Sequence, residues 1–142
     1  MARKNYIAAI GFLTLVVLLI IWVVHYVNRA PETVDSDTLV EIKISSKDLL
    51  AEFLADEAKA NENYVEKVIE VAGTVKEVTF LNNRYTVLLQ GQGEYACLIC
   101  DMDSGMVEEI QSIAKGDSIK LKGVCKGFLM DAILLNCVLI AN

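Results

Sequence analysis

Residues 68–90 of the chain read VIEVAGTVKEVTFLNNRYTVLLQ. Over residues 68–78, apolar and polar side chains alternate, which is the two-residue period of a strand with one buried face. The pair at residues 82–83, Asn-Asn, is typical of a hairpin turn, and the alternation resumes over residues 84–90. The stretch therefore predicts two antiparallel strands joined by a tight turn.

Three more strand patterns and one helix pattern follow this hairpin. Residues 95–100 predict a third strand that is apolar on both faces. Residues 103–104, Asp-Ser, indicate the start of a helix. The apolar stripe of that helix consists of Met106, Val107, Ile110 and Ile113. Residues 119–125 predict a fourth strand, Gly127 predicts a turn, and residues 132–140 predict a fifth strand.

A short strand and a longer helix precede the hairpin. Residues 40–44 alternate between apolar and charged side chains, which indicates a brief strand. Ser45 lies three residues before Asp48, the spacing of a capping box, and predicts a helix that ends near Asn61. One face of this helix is apolar and consists of Leu49, Leu50, Phe53, Leu54 and Ala58.

The N-terminal region carries a long apolar run, IAAIGFLTLVVLLIIWVVHYV at residues 7–27, without any Asp, Glu, Lys or Arg. Its length corresponds to about 32 Å of helix, enough to cross a hydrocarbon core of about 30 Å. A cleaved signal peptide is the alternative, but its apolar segment is shorter, and Pro31 disfavours cleavage after Ala30. We therefore expect an uncleaved signal-anchor that binds the lipid bilayer.

The charges on either side of residues 7–27 predict the orientation of the chain. Arg3 and Lys4 precede the apolar run, whereas Arg29 is followed by acidic residues. Because the more positive flank stays in the cytoplasm, residues 1–6 are expected there. The rest of the chain is expected on the periplasmic or outer side of the cytoplasmic (inner) membrane of a bacterial cell, with a single pass.

Five short strands with a helix between the third and the fourth are the element order of the OB-fold, a small Greek-key barrel. The predicted fold class is therefore mainly β with α. A transmembrane helix at residues 7–27 precedes a tether and short strand at residues 28–44. Residues 45–142 form the amphipathic helix and the five-stranded barrel, a length that suits one domain.

OB-folds that bind single strands combine stacking aromatic side chains with a basic groove. Five basic side chains on or beside the strands form the candidate ligand-binding site: Lys76, Arg84, Lys120, Lys122 and Lys126. The candidate aromatic side chains near the barrel mouth are Phe80, Tyr85, Tyr95 and Phe128. Of these, Tyr85 and Tyr95 occupy apolar positions of their strands and are expected in the core. Residues 30–142 contain 10 basic and 19 acidic residues, and this net charge of −9 disfavours a nucleic-acid partner.

The four cysteines are an even number of thiols in a domain predicted to lie outside the cytoplasm, where disulfides form. Cys125 and Cys137 fall on inward positions of the last two strands, which are neighbours in an OB-fold. One alternative is a disulfide between them, and the other is four buried, reduced thiols. A zinc site is disfavoured because Cys97 and Cys100 lie within a predicted strand rather than on a tight turn.

The sequence resembles a bacterial family named tRNA_anti-like in two runs of spaced Gly, Asn and Cys positions. The first run includes ANENY at residues 60–64 and VIEVAGTV at residues 68–75, and the second includes KGVCKGFLMD at residues 122–131. The resemblance covers about residues 45–140. It implies an OB-fold that is often anchored to a membrane or a lipid, and it implies no particular activity, since a fold does not define a function.

No set of residues supports catalysis. His25 is the only histidine and lies at the end of the apolar run, so the domain has no histidine for a general base or a triad. The sequence also offers no cofactor-binding or metal-binding motif. The expected function is a membrane-anchored, extracytoplasmic binding or interaction module. The alternatives are a weak binder of single-stranded nucleic acid or another polyanion, and a structural component of an envelope complex that contacts a protein partner.

Overall fold

The computed structural model describes residues 14–24, 34, 37–93 and 95–140. The chain divides into two compact units, Met1–Pro31 and Glu32–Asn142. Within the first unit, residues 14–24 are helical (α1), whereas the rest of the anchor predicted at residues 7–27, and the cytoplasmic segment predicted at residues 1–6, lie outside the described residues. Among the residues that are described, no helix is both long enough and apolar enough to cross a bilayer.

The second unit is a closed β-barrel with helices. Its strands are β1 (Ile42–Ser45), β2 (Val68–Leu81), β3 (Arg84–Gln90), β4 (Cys97–Met102), β5 (Ser118–Leu129) and β6 (Asp131–Leu139). Its helices are α2 (Ser46–Ala55), α3 (Glu57–Tyr64) and α4 (Val107–Gln111), the last preceded by a 3-10 turn at Ser104–Met106. The sheet order β2-β3-β4-β6-β5 is closed by pairing of β5 with β2, and β1 adds to β2 in parallel.

This topology confirms the predicted five-stranded barrel with a helix between its third and fourth strands. Strand β4 pairs with β6 in parallel, and the other barrel pairs are antiparallel. The predicted hairpin is also confirmed, because Asn82 and Asn83 both have positive φ, 51° and 63°, as a type I′ turn requires.

The turn predicted at Gly127 is wrong. Strand β5 continues through Gly127 to Leu129, and the chain reverses at Met130, which has φ of 71°. Gly127 instead lies in an irregularity of the β5–β6 register, where its φ of 111° suits a bulge. The hairpin between β5 and β6 therefore extends further from the barrel than the sequence indicates.

The single helix predicted from Ser45 to near Asn61 is two helices. The cap at Ser45 is confirmed, since its hydroxyl accepts a hydrogen bond from the Asp48 N–H at 3.1 Å. Asp56 then adopts an extended conformation that ends α2, and its carboxylate caps α3 by accepting the Lys59 N–H at 3.1 Å. The break redirects the chain, so that Leu54 and Ala58, which were expected on the buried face, are exposed.

Helices close both ends of the barrel. At one end, the Ser46 hydroxyl of α2 donates to the Gln90 carbonyl at 2.7 Å, and the Phe53 ring stacks on that of Phe128 at 5.6 Å between centroids. At the other end, α4 buries Ile110 in the core, and the Gln111 amide donates to the Tyr85 hydroxyl at 3.1 Å.

We expect Phe53→Ala to destabilise the domain by about 3–5 kcal/mol, because it removes a ring that is buried between α3 and β5 and leaves a cavity. Leu54→Ala is the matched control, since the neighbouring side chain is exposed and should change stability by about 0.5 kcal/mol or less. Urea unfolding of the full chain in detergent measures both. Equal losses in the two variants would contradict the assigned packing.

Tyr64 joins α3 to α2, and its environment makes stability depend on alkaline pH. The Tyr64 hydroxyl donates to the Glu52 carboxylate at 2.6 Å. Burial, followed by this hydrogen bond, raises the pKa of Tyr64 from 10.0 to about 12. The folded state therefore favours the protonated phenol. This preference contributes fully to the stability of the folded state at pH values below the unfolded pKa of 10.0. This contribution is lost as the pH rises towards the folded value of about 12.

In Tyr64→Phe, the free energy of unfolding should fall less steeply over the same alkaline range than in the unsubstituted chain. Tyr95→Phe, which replaces an exposed tyrosine, should leave the slope unchanged. Unfolding curves at a series of alkaline pH values measure the difference. Identical slopes for all three proteins would show that Tyr64 does not titrate as described.

Candidate binding surface

The segment before β1 lies against the barrel rather than forming only a tether. Val34 is buried against Val124 and Val138 on the outside of β5 and β6. The Thr38 carbonyl accepts a hydrogen bond from the Lys122 ammonium group at 3.0 Å, and the Glu41 N–H donates to the Val68 carbonyl at 3.1 Å. We refer to the described residues from 34 to 41 as the strap. The strap covers the outer face of β5 beside Lys122.

The five candidate basic residues occupy different environments. Lys122 is only 4% exposed and lies beneath the strap, so it is not available on an open surface as predicted. Arg84 pairs with Asp101, and Lys126 pairs with Glu66 at 2.7 Å. Lys120 is exposed beside a groove between α4 and the ends of β5 and β6. The fifth, Lys76, donates to the thiol of Cys97 at 3.1 Å.

The open outer surface of the sheet is apolar at its centre. The strand registers align Leu88 of β3 with Ile99 of β4, and Ile99 with Ile133 of β6. Each of the three is half-buried and lies between neighbours that point into the core, so all three face outward. We call this row of three the aliphatic row. An apolar row on the outer side of a barrel is not part of the barrel's own core, which makes it a candidate contact surface.

Exposed apolar side chains lie at both ends of the aliphatic row. At the start of β3, Leu81 is 72% exposed and pairs with Arg84, which lies on the same outward face of β3 as Leu88. The rings of Phe80 and Tyr85 pack at 4.5 Å between centroids on the other, core-facing side of this hairpin. At the start of β6, the hairpin residues Leu129 and Met130 are 81% and 84% exposed. The aliphatic row and these two hairpins together form the candidate binding surface.

Tyr95 was expected in the core, and that prediction is wrong. Strand β4 begins at Cys97, two residues later than predicted, so Tyr95 belongs to the loop from β3 and is 96% exposed. The loop lies at the same end of the sheet as Met130, because the Cys97 N–H donates to the Asp131 carboxylate at 2.7 Å. Tyr85, by contrast, packs partly buried against the core, as predicted.

All four cysteines are buried thiols, and no disulfide joins Cys125 and Cys137 in the structure. The register places Cys125 opposite Leu134, whereas Cys137 pairs with Met102 and lies beside the Cys100 thiol. Burial raises the pKa of both Cys125 and Cys137 above the ordinary value, which keeps them protonated. Within the described part of the chain, no group of three or more His, Cys, Asp or Glu side chains is arranged to hold a metal ion.

The closed five-stranded barrel, with a helix between its third and fourth strands, is an OB-fold. The chain belongs to the tRNA_anti-like family, whose model matches residues 1–139. The family assignment agrees with the resemblance in the sequence and covers the whole barrel, to the last residue of β6. A search of curated proteins finds no match to the sequence.

Solved structures that are similar to this chain share little sequence with it. A candidate nucleic acid-binding lipoprotein from Klebsiella pneumoniae is 14% identical with a TM-score of 0.58, over 70% of this chain and 92% of that one. The S. pombe Stn1-ten1 complex is 13% identical with a TM-score of 0.42, over 53% and 59%. An OBody bound to hen egg-white lysozyme is 12% identical with a TM-score of 0.40, over 54% and 97%. The first likeness shows a shared fold, and identities this low show nothing beyond it.

The hydrogen bond between Lys122 and the strap can be tested directly. Lys122→Met keeps the length of the side chain but removes the donor to the Thr38 carbonyl, which should cost about 1–3 kcal/mol. We expect faster hydrogen exchange over residues 37–41 in this variant. Lys120→Met, on the same strand but exposed, is the control and should leave the exchange unchanged. Unaltered exchange in Lys122→Met would contradict the role assigned to Lys122.

Proposed function

We propose that the chain is a membrane-anchored binding module whose OB-fold domain lies outside the cytoplasm and contacts a protein partner through the candidate binding surface. The observation that carries the proposal is the exposure of apolar side chains at both ends of an apolar sheet surface. Protein interfaces have apolar cores enriched in aromatic residues and Met. Leu88, Ile99 and Ile133 supply an apolar centre of this kind, and Met130 at its edge is one of the enriched residue types.

The charges of the domain favour a protein over a polyanion. Binding of nucleic acid requires cations that contact phosphates. Arg84 and Lys126 already pair with carboxylates, and Lys122 is buried beneath the strap. The excess of 19 acidic over 10 basic residues in residues 30–142 repels phosphate groups further. A surface of this kind is better suited to a partner that is apolar or basic at its contact point.

The proposed anchor is the apolar run at residues 7–27, with its N-terminus in the cytoplasm and the domain on the periplasmic or outer side of the membrane. The support comes from the sequence: the run lacks charged residues, and Arg3 and Lys4 lie on its N-terminal side. We assign no catalytic activity to the chain, since its only histidine, His25, belongs to this run. A structural role in an envelope complex is one form that this binding function can take.

The second candidate function is weak binding of single-stranded nucleic acid. Two observations favour it: Tyr95 is almost fully exposed, and Phe80, near the tip of the β2–β3 hairpin, is 56% exposed. Exposed rings on an OB-fold can stack on bases without regard to sequence. The Klebsiella protein with the same fold is described as a candidate nucleic acid-binding lipoprotein, which makes this function worth a direct measurement.

The test replaces Met130 by a photo-crosslinking residue in the full chain and irradiates native membranes. We expect one discrete protein adduct, because Met130 lies at the edge of the candidate binding surface. The matched control carries the same crosslinker at Leu39, which is 87% exposed but belongs to the strap. Adding Ile99→Thr to the Met130 version should reduce the adduct severalfold, since this change removes apolar contact area and keeps a β-branched residue in the strand.

The outcomes separate the candidates. An adduct that forms equally from Leu39, or that Ile99→Thr leaves unchanged, would contradict the assigned surface. Filter binding of labelled single-stranded oligonucleotides at low salt tests the second candidate. Retention that is lost in Tyr95→Ala would favour nucleic acid, whereas no retention at micromolar protein would exclude it.

A further inference from the structure

The tip of the β5–β6 hairpin presents two large apolar side chains to solvent. Leu129 ends β5, Asp131 begins β6, and the two are register partners, so that Met130 alone makes the reversal. The side chains of Leu129 and Met130 are both more than four-fifths exposed. We call these two residues the tip. Because the fold leaves the tip exposed, its burial requires contact with another molecule.

The backbone at Met130 adopts a conformation that most side chains disfavour. Its φ of 71° lies in the left-handed region, which suits glycine or asparagine and strains other residues. Of the other four non-glycine residues with positive φ in the described part of the chain, three are asparagines. The fourth is Glu66, whose carboxylate pairs with Lys126. At Met130 the same conformation carries an exposed apolar side chain, which indicates a role other than stability of the fold.

Contacts on both strands hold the base of the tip. Phe128, the residue before the tip, stacks on Phe53 of α2 at 5.6 Å between ring centroids. Asp131, the residue after the tip, accepts the Cys97 N–H of β4 at 2.7 Å. These contacts restrict the motion of the hairpin, so that binding of the tip should cost little conformational entropy.

We propose that Leu129 and Met130 are the anchor residues of the interface and insert into an apolar pocket on the protein partner. The inference rests on the proposed function and adds the shape of the partner's surface to it. Two apolar side chains at a hairpin tip can fill a pocket, whereas the aliphatic row lies on a sheet and suits a flatter surface. Side chains that fill pockets in this way supply much of the binding energy of an interface.

The charges near the tip favour a protein over a lipid bilayer. Segments that insert into a membrane surface commonly carry lysine or arginine beside their apolar residues, for contact with anionic lipids. The charged residue that adjoins the tip is acidic, Asp131, and Lys126 of the same hairpin already pairs with Glu66 at 2.7 Å. A carboxylate at the base of the tip disfavours an anionic membrane surface.

The test places a photo-crosslinking residue at Leu81, at the other border of the candidate binding surface, in the full chain in native membranes. We expect a protein adduct that Met130→Gly reduces by about fivefold or more, since this change removes a side chain from the partner's pocket. Met130→Leu, which restores a large apolar side chain, should recover most of the adduct. Glu66→Gly is the matched control: it also places glycine at a positive φ, but outside the candidate binding surface, and should leave the adduct unchanged.

Stability gives a second readout with the opposite sign. Glycine adopts a φ of 71° without strain, and the side chain of Met130 is exposed. Met130→Gly should therefore raise the urea midpoint of the full chain in detergent. Removal of a side chain that served the fold would lower the midpoint instead. The expected variant is more stable than the unsubstituted chain and yet binds its partner less.

The outcomes distinguish this inference from the proposed function. If Ile99→Thr reduces the Leu81 adduct and Met130→Gly does not, the proposed surface stands and the anchor role of the tip is wrong. If neither the Leu81 nor the Met130 crosslinker forms a protein adduct, both proposals are wrong. A Met130 crosslinker that reacts with phospholipid instead of protein would assign the tip to the bilayer and overturn the inference. A lower urea midpoint in Met130→Gly would also overturn it.

Discussion

The barrel depends on the way in which β2 divides its hydrogen bonds between two partners. From Val68 to Thr74 this strand pairs with β5, and from Val75 to Leu81 it pairs with β3. A strand that serves both neighbours must bend between its halves, and the bulge beside Lys76 lies at this point. Closure leaves no open edge in the five-stranded ring, and it also turns Lys76 towards β4. The same bend therefore completes the barrel and creates the contact with Cys97.

The helices determine which surface remains for binding. The helices α2 and α4 pack against opposite ends of the barrel and cover the core there, and the strap occupies part of the outer wall. The outward side of β3, β4 and β6 carries the aliphatic row, and exposed apolar side chains of two hairpins lie at its borders. An exposed apolar surface lowers the solubility of a small domain. The many acidic side chains elsewhere in this domain counteract that effect.

Local patterns predicted the barrel well, because each strand and turn that they identified is determined by neighbours in sequence. The Asn82-Asn83 turn and the Ser45 cap are examples. The errors arose where a residue can serve two local structures: Asp56 could have continued a helix but capped a new one, and Gly127 could have made a turn but allowed a bulge. Lys122 was misjudged for another reason. The carbonyl that it contacts belongs to Thr38, 84 residues away, and alternation within β5 contains no information about it.

The attachment of the strap has a consequence for the order in which the domain gains its contacts. Thr38 and Lys122 are 84 residues apart, so their hydrogen bond closes a long loop of chain. Val34 packs on Val124 and Val138, which come together only when β5 and β6 are paired. The contacts of the strap therefore depend on a barrel wall that is already formed, and they stabilise that wall in turn.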